Sequence, residues 1–533
     1  MIGRYVLRLQ EVLFGPDRRA AWLALIGICV IASLIVAGYA VALGPLYALA
    51  GAIALAGGAL LLTSVQWGLY ALIGVACLLP FATFPFKLGF TPSFLDAALL
   101  MMFVVWLARL ATGRERQFDP SPIGWAIFIF LGLAVFAFLR GLTYARPTAT
   151  TLRDFVEIIL GIAIYFVVVN NVRQPAQIAR TMRILMLAGA GAALIGVVFY
   201  VIPEAWTVRI LDALGRFNYP GGYGALRYIE DDPSNPMRAI GTSVDPNVLG
   251  GLMVLITAAT APQLVERRPL LPRALVAAML AVDGLCLYLT YSRGSMVGLG
   301  AALVLLGVVR YRRLLPIGLA GAALLLLLPQ AQGYVSHFLE GLRGQDLATQ
   351  MRFGEYRDAL RLIAEYPWFG VGFAGAPSID LYLGVSNLYL LIAEEMGIVG
   401  LAAFLLTMLL FFNELRKGRR RRLPEEREGI ALGIGAAVAG GLTAGVFDHY
   451  LFNLAYPHMT SLFWLCIGLG VAAVHERANE RMSESARERG SERANRRISE
   501  GARERIGEST RERGSESANQ RRSEGANRAY TIR

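Results

Sequence analysis

The stretch "TMRILMLAGAGAALIGVVFYVI", residues 181–202, carries one charge, Arg183, at its start and none in the rest. As a helix rising 1.5 Å per residue it is about as long as the ~30 Å hydrocarbon layer of a bilayer is thick. A core helix of a soluble domain is shorter and shows a polar face. Comparable blocks lie on either side of it, at 21–43, 45–63, 67–85, 94–112, 122–139, 154–171, 247–264, 273–291, 294–310, 314–331, 388–412, 429–447 and 459–474. The expected fold is therefore an all-α, polytopic transmembrane helix bundle of about fourteen spans.

Composition excludes the soluble alternative. Of 533 residues, 56% are hydrophobic and only 17% charged, too few polar groups to clothe a water-soluble surface. The net charge of +12 does not read as a nucleic-acid footprint, because much of it falls in short connections between apolar blocks. Arg109, Arg114 and Arg116, then Arg173 and Arg180, then Arg267, Arg268 and Arg273, then Arg310, Arg312 and Arg313, then the run from Arg416 to Arg422, all fall on one side if the N-terminus is cytoplasmic. This positive-inside pattern and an even span count place both termini in the cytoplasm. The first block follows Arg4, Arg8, Arg18 and Arg19 with no convincing cleavage site and reads as an uncleaved helix. Cys29, Cys77, Cys286 and Cys466 sit inside apolar blocks and form neither a disulfide framework nor a metal pattern.

The chain thus divides into a cytoplasmic N-terminus (1–20), a transmembrane region (21–474) and a tail (475–533). Two long connections, 203–246 and 332–387, face outward, with smaller ones near 140–153 and 448–458. The second contains "AEYPWFGVGFAGAP" (364–377) and an amphipathic stretch, Arg352 to Tyr366, that puts Tyr356, Leu360 and Ile363 on one helical face, fit to lie at the membrane interface and roof a cavity. In the tail "RERGSERANRRISEGARE" at 487 recurs as "RERGSESANQRRSEGANR" at 511, a low-complexity repeat of period 24. Glutamates at every fourth position beside arginines suit a disordered or transiently helical cytoplasmic segment, solvated or tethered to anionic headgroups.

Ionisable residues at the outer ends of spans carry the functional signal, since a charge at membrane depth must be solvated, paired or used. In "LTYSRGSMVGLG" (289–300) Arg293 either snorkels or faces a polar cavity, and Gly294 and Ser295 allow a tight turn. Arg352, Arg357 and Arg361 share a short outward helix ended by Pro367, Gly370 and Gly372. Guanidinium suits phosphate oxygens, whereas Arg357 and Arg361 read as a solvated face. "SNLYLLIAEEMGIVGL" (386–401) offers Ser386 and Asn387, a helix cap, followed by Glu394 and Glu395, of which at most one faces a cavity. "GVFDHYLFN" (445–453) brings Asp448 and His449. "GTSVDPNVLGG" (241–251) brings Asp245 and Asn247, which either start a helix or join the site.

Taken in order, "GTSVDPNVLGG", "TYSRGSMVGLG", the outward R-x3-Y-x2-AL-x2-I-x3-P-x2-GVGF, "NLYLLIAEEMGIVGL" and "FDHYL" resemble the O-antigen ligase and O-antigen polymerase superfamily of bacterial envelope proteins, over about 240–455. The resemblance implies transfer of glycan from an undecaprenyl-diphosphate-linked donor to the hydroxyl of a glycan or lipid acceptor, without metal, cofactor or nucleotide sugar. It also implies that two arginines, matched here by Arg293 and Arg352, bind the lipid diphosphate. Ligase members show His-Asn before "LYL", where this chain has Ser386-Asn387. Serine cannot replace imidazole as a base near neutral pH, so either His449, Asp448 or Glu394 serves instead, or the reaction rests on positioning and leaving-group stabilisation, or the activity is lost or changed; the missing His leans the reading toward a polymerase. A lipid-linked glycan flippase or other transporter would also need a cationic cavity, but the long loops are confined to the second half and no internal symmetry is visible. The third reading is a non-catalytic envelope scaffold.

Overall fold

A computed structural model describes residues 64–87, 89–112, 118–326, 347–375, 384–421 and 423–475. The apolar blocks at 21–43 and 45–63 and the repeat tail lie outside the described residues. Every longer element is an α-helix, and among the described residues β structure is limited to isolated bridges.

The helices are α1 (Val65–Leu78), α2 (Phe94–Ala111), α3 (Gly124–Gly141), α4 (Ala149–Asn171), α5 (Pro175–Val201), α6 (Glu204–Leu214), α7 (Pro246–Val265), α8 (Arg273–Leu289), α9 (Arg293–Val309), α10 (Leu314–Leu326), α11 (Leu347–Glu365), α12 (Leu388–Arg420), α13 (Glu425–Ala444) and α14 (Pro457–Val474). Six of them, α2, α3, α5, α7, α12 and α14, are long and apolar enough to cross a membrane. The outer surface agrees with that: Leu100, Val201, Val308, Leu319 and Leu409 are each at least 60% exposed, which only a lipid surround makes stable. The chain is a helical membrane protein.

Helices α7 and α14 form the centre and are almost wholly buried. Around them α13 packs on α7, α9 and α14, α4 on α14, α8 on α5 and α7, and α3 on α12. Helix α1 stops earlier than its apolar block, at Leu78, because Pro80 and Pro85 cannot continue a helix. Outside the apolar blocks, the 203–246 connection folds into α6 and short 3-10 turns, and the described part of the 332–387 connection holds α11 and the loop that follows it.

The interhelical turns sort to two ends. At one end, basic and acidic residues of successive turns interlock. Arg310 pairs with Glu428, and its guanidinium lies 3.5 Å from Glu425 and 3.9 Å from Glu266. The Tyr311 hydroxyl donates to Glu266, while Arg419 reaches Glu428 at 3.3 Å and the Val309 carbonyl at 3.0 Å. These contacts tie the ends of α7, α9, α12 and α13 together. The opposite end holds the starts of α7, α9 and α12 and the end of α13.

Helix α12 is broken. Gly397 has φ +72 and ψ −179, so the i to i−4 ladder fails around it. The loop that follows α11 fills the gap: Val371 and Gly372 donate to the carbonyls of Glu394 and Glu395 (2.9 Å each), and Ile398 donates to the Pro367 carbonyl (2.8 Å). Backbone groups freed at membrane depth must find protein partners, and "PWFGVG" supplies them. A Cβ on Gly397 would lie 2.3 Å from the Trp368 backbone, so the wedge fits only against glycine.

The buried face of α11 differs from the one its pattern suggests. Tyr356, Ala359 and Leu362 pack inward, against Val385, Leu391 and Val371, whereas Leu360 is 55% exposed. The 384–391 segment and the wedge cover the helix from one side, which rotates the stripe and leaves Leu360 facing away from the bundle.

Candidate functional site

Four chain segments meet at the end opposite the ionic cluster. The first is the turn between α8 and α9. Tyr291 takes φ +53, uncommon for a residue with a side chain, and Ser292 then starts α9 with Arg293 as its first residue. Gly294 and Ser295, expected to form the turn, are instead helical. Glycine is needed at 294 because a Cβ there would stand 2.6 Å from the Cβ of Phe447. The hydroxyls of Ser292 and Ser295 lie 2.9 Å apart.

The second segment is the start of α7. Asp245 is its N-cap, accepting from the amides of Asn247 (2.8 Å) and Val248 (3.0 Å), so its carboxylate serves the helix. The third is the 229–240 loop, from which Arg238 donates through Nε to the Thr290 carbonyl (2.8 Å) and through Nη2 to Asn247 Oδ1 (2.7 Å). Arg238 therefore splints the α8–α9 turn to the start of α7. Burial pulls its guanidinium below the ordinary value, while Asp245 and Asp448 act in the opposite sense. The fourth is the turn after α13, bearing Asp448 and His449, over which α11 lays Arg352.

These segments enclose a cavity of about 120 Å³, lined by polar groups that include Arg238, Asn247, Ser292, Arg293, Arg352 and Asp448, with Glu230 at its exposed edge. That is several times the ~10–15 Å³ that admits one water. Three guanidiniums face two carboxylates, Glu230 and Asp448, so the lining carries a net positive charge suited to an anion. Burial raises the Asp448 carboxyl above the ordinary carboxylate range; His449 lowers it, Asp245 raises it and Arg352 lowers it again.

Of the residues singled out in the sequence, Arg293, Arg352 and Asp448 thus share one cavity. His449 does not line it, but its Nδ1 is 3.4 Å from Asp448 Oδ1 and its backbone amide donates to the same oxygen at 2.8 Å. Glu394 stands apart: it is 1% exposed beside the α12 break and accepts from the Gly384 amide at 3.3 Å. Glu395 is likewise buried there. Asn387 caps α12 through Oδ1 and donates from Nδ2 to the Val446 carbonyl at 2.8 Å. The Ser386 amide donates to Glu355 Oε2 at 2.9 Å.

Arg238 and Glu230 are charged lining residues that sequence reading passed over, and Arg238 is the more buried of the two. It lies among the charged and polar residues of "RYIEDDPSNPMR", and only its position seven residues before the Asp245 cap distinguished it.

Residues 275–405 match a family model described as O-antigen ligase. A comparison with curated proteins found no match. The matched segment runs from α8 through the break in α12 and contains Arg293, Arg352, Ser386 and Glu394, while Arg238, Asp448 and His449 lie beyond its ends. Through that segment, which contributes two of the three arginines of the cavity, the chain is similar to the O-antigen ligase family.

Proposed function

We propose that this protein is a metal-independent glycosyltransferase of the bacterial inner membrane that takes glycan from an undecaprenyl-diphosphate-linked donor and joins it to an acceptor hydroxyl, extending or attaching an envelope polysaccharide. The observation that carries this reading is the convergence of Arg293 and Arg352, from distant segments, on one cavity that also holds Asp448.

In this reading about fourteen spans cross the membrane, both termini are cytoplasmic and the cavity opens on the outer face. Arg293 and Arg352, joined by Arg238, hold the diphosphate. The acceptor oxygen attacks the anomeric carbon from the side opposite the diphosphate, the bond from that carbon to the diphosphate oxygen breaks, and undecaprenyl diphosphate leaves with the bond's electron pair. Fixed guanidiniums stabilise the charge that develops on the leaving group, an effect strongest where water is excluded. The acceptor proton passes to Asp448, whose raised affinity for protons suits a base better than an ordinary carboxylate does. His449 stands behind it and orients it. Glu394 takes no part, because its surroundings tie it to the α12 break. The Ser386 position favours chain extension over ligation.

The ionic cluster joining α7, α9, α12 and α13 at the basic end supports transfer over transport, since alternating access requires those ends to separate. The test is incubation of purified protein with undecaprenyl-diphosphate glycan, with and without an acceptor. Arg293→Ala and Arg352→Ala are each expected to lower transfer at least ~100-fold while the protein stays in the membrane. Full activity in both variants would sink the assignment.

A further inference from the structure

Arg352 reaches the cavity on α11, whose attachments among the described residues lie to its C-terminal side. At its far end, Glu365, about 20 Å of helix away from Arg352, α11 runs into the wedge that begins at Pro367 and anchors it. Between the two, Ala359 packs against Val385 and Leu391. The polar contact nearest Arg352 is made one turn along: Glu355 Oε2 accepts the Ser386 amide at 2.9 Å. Its neighbour Tyr356 donates to the Ser386 carbonyl at 3.3 Å and approaches the Val446 carbonyl at 3.5 Å.

The segment these side chains grip is itself fixed to the other wall of the cavity. The Leu388 amide donates to the Gly445 carbonyl (2.7 Å) and the Asp448 carbonyl (3.1 Å), and Asn387 reaches Val446. A chain of short contacts therefore runs from Glu355 through Ser386 and Leu388 to the backbone of Asp448. Through it the distance between the Arg352 guanidinium and the Asp448 carboxyl is set.

We infer that Glu355 is a positioning residue for the transfer reaction: its carboxylate on the Ser386 amide locks α11 so that Arg352 faces Asp448 across the cavity. The inference rests on the transferase reading for its kinetic consequence but not for its structural one. It also gives the Ser386 amide a structural role that does not depend on the side chain at 386. Glutamine keeps an oxygen that can accept the amide proton, whereas alanine keeps none. A proton-accepting role for Glu355 would make the two substitutions equally damaging, and a positioning role separates them.

The experiment compares Glu355→Ala, Glu355→Gln and Tyr356→Phe in the full-length protein in detergent or nanodiscs, measuring amide exchange of residues 350–358 and the kinetics of transfer. Glu355→Ala is expected to speed exchange in that segment at least ~10-fold and to raise KM for the lipid-linked donor by about the same factor with little change in kcat. Glu355→Gln is expected to stay within about threefold of wild type in both. Tyr356→Phe keeps the ring's packing and is expected to shift both quantities in the same direction as alanine, by severalfold, so the inference remains testable if the alanine variant does not fold. Unchanged exchange in Glu355→Ala and Tyr356→Phe, or glutamine as damaging as alanine, overturns it. If the wild-type protein transfers nothing, the transferase reading fails by itself, and the exchange data still decide whether the lock exists.

Discussion

At the scale of single residues, the cavity brings three guanidiniums beside two carboxylates, an excess of positive charge that a bound anion would offset. Arg238 donates two hydrogen bonds to the scaffold, and Arg293 and Arg352 stand at the start of one helix and on another; in the proposed reaction these guanidiniums would hold the donor's phosphates. Asp448 sets the expected pH dependence. Its folded value lies above that of a free carboxyl, about 3.9, so its ionisation opposes folding: its contribution to stability declines as pH rises from there through the folded value. As a base it acts only when deprotonated, so transfer should fall as pH drops through that same raised value. Asp448→Asn is expected to remove this acid limb, lower kcat by ~100-fold or more, and leave the protein at neutral pH at least as stable as wild type. Profiles of kcat/KM against pH together with thermal unfolding check both parts. An unchanged acid limb in the variant would show that another group receives the proton.

At the scale of elements, the break in α12 is the feature that organises the outer part of the molecule. The wedge exchanges backbone hydrogen bonds with α12 on both sides of Gly397, and thereby fixes the root of α11, from which Arg352 is carried to the cavity. Alanine at 397 must adopt φ near +72 and press its Cβ into the Trp368 backbone. A loss of about 1–3 kcal/mol is expected from the conformation alone, with more from the collision. Thermal unfolding in detergent would reveal it, together with reduced transfer because Arg352 loses its anchor. Asn387 and Asp245 act differently, as caps whose replacement by alanine should each remove ~1 kcal/mol. The buried stripe of α11 follows from the wedge too. Its period was evident, but which side of it faces protein depended on where the 384–391 segment lies.

At the scale of the whole molecule, one end is closed by interlocked charges and the other opens into a cationic cavity. The closed end contains the basic turns at 266–273, 310–313 and 416–421, which the positive-inside pattern assigns to the cytoplasm. Single cysteines on a background lacking the native ones test that polarity. In spheroplasts, a membrane-impermeant maleimide is expected to modify Ser234→Cys, in the exposed loop before α7, and to spare Arg268→Cys, exposed at the other end. Labelling of both, or of position 268 alone, would invert or abolish the proposed topology.

The sequence by itself determined that this chain is an all-helical membrane protein, because blocks of about twenty apolar residues have no stable place in water. It also pointed to Arg293, Arg352 and Asp448, because charges beside hydrocarbon are too unfavourable to persist unless solvated, paired or used. It could not assign Gly294 to close packing against Phe447 rather than to a turn, or Glu394 to the neighbourhood of a broken helix, since both depend on neighbours far away in the chain. Nor could it single out Arg238, whose residue type is common in loops and whose meaning comes from two hydrogen bonds to segments nine and fifty-two residues away. Local pattern reports how each segment meets lipid or water. Which segments meet one another, and hence which three arginines share a cavity, was decided only by the tertiary packing of α7, α9, α11 and α13, because long-range contacts leave no period in the sequence that forms them.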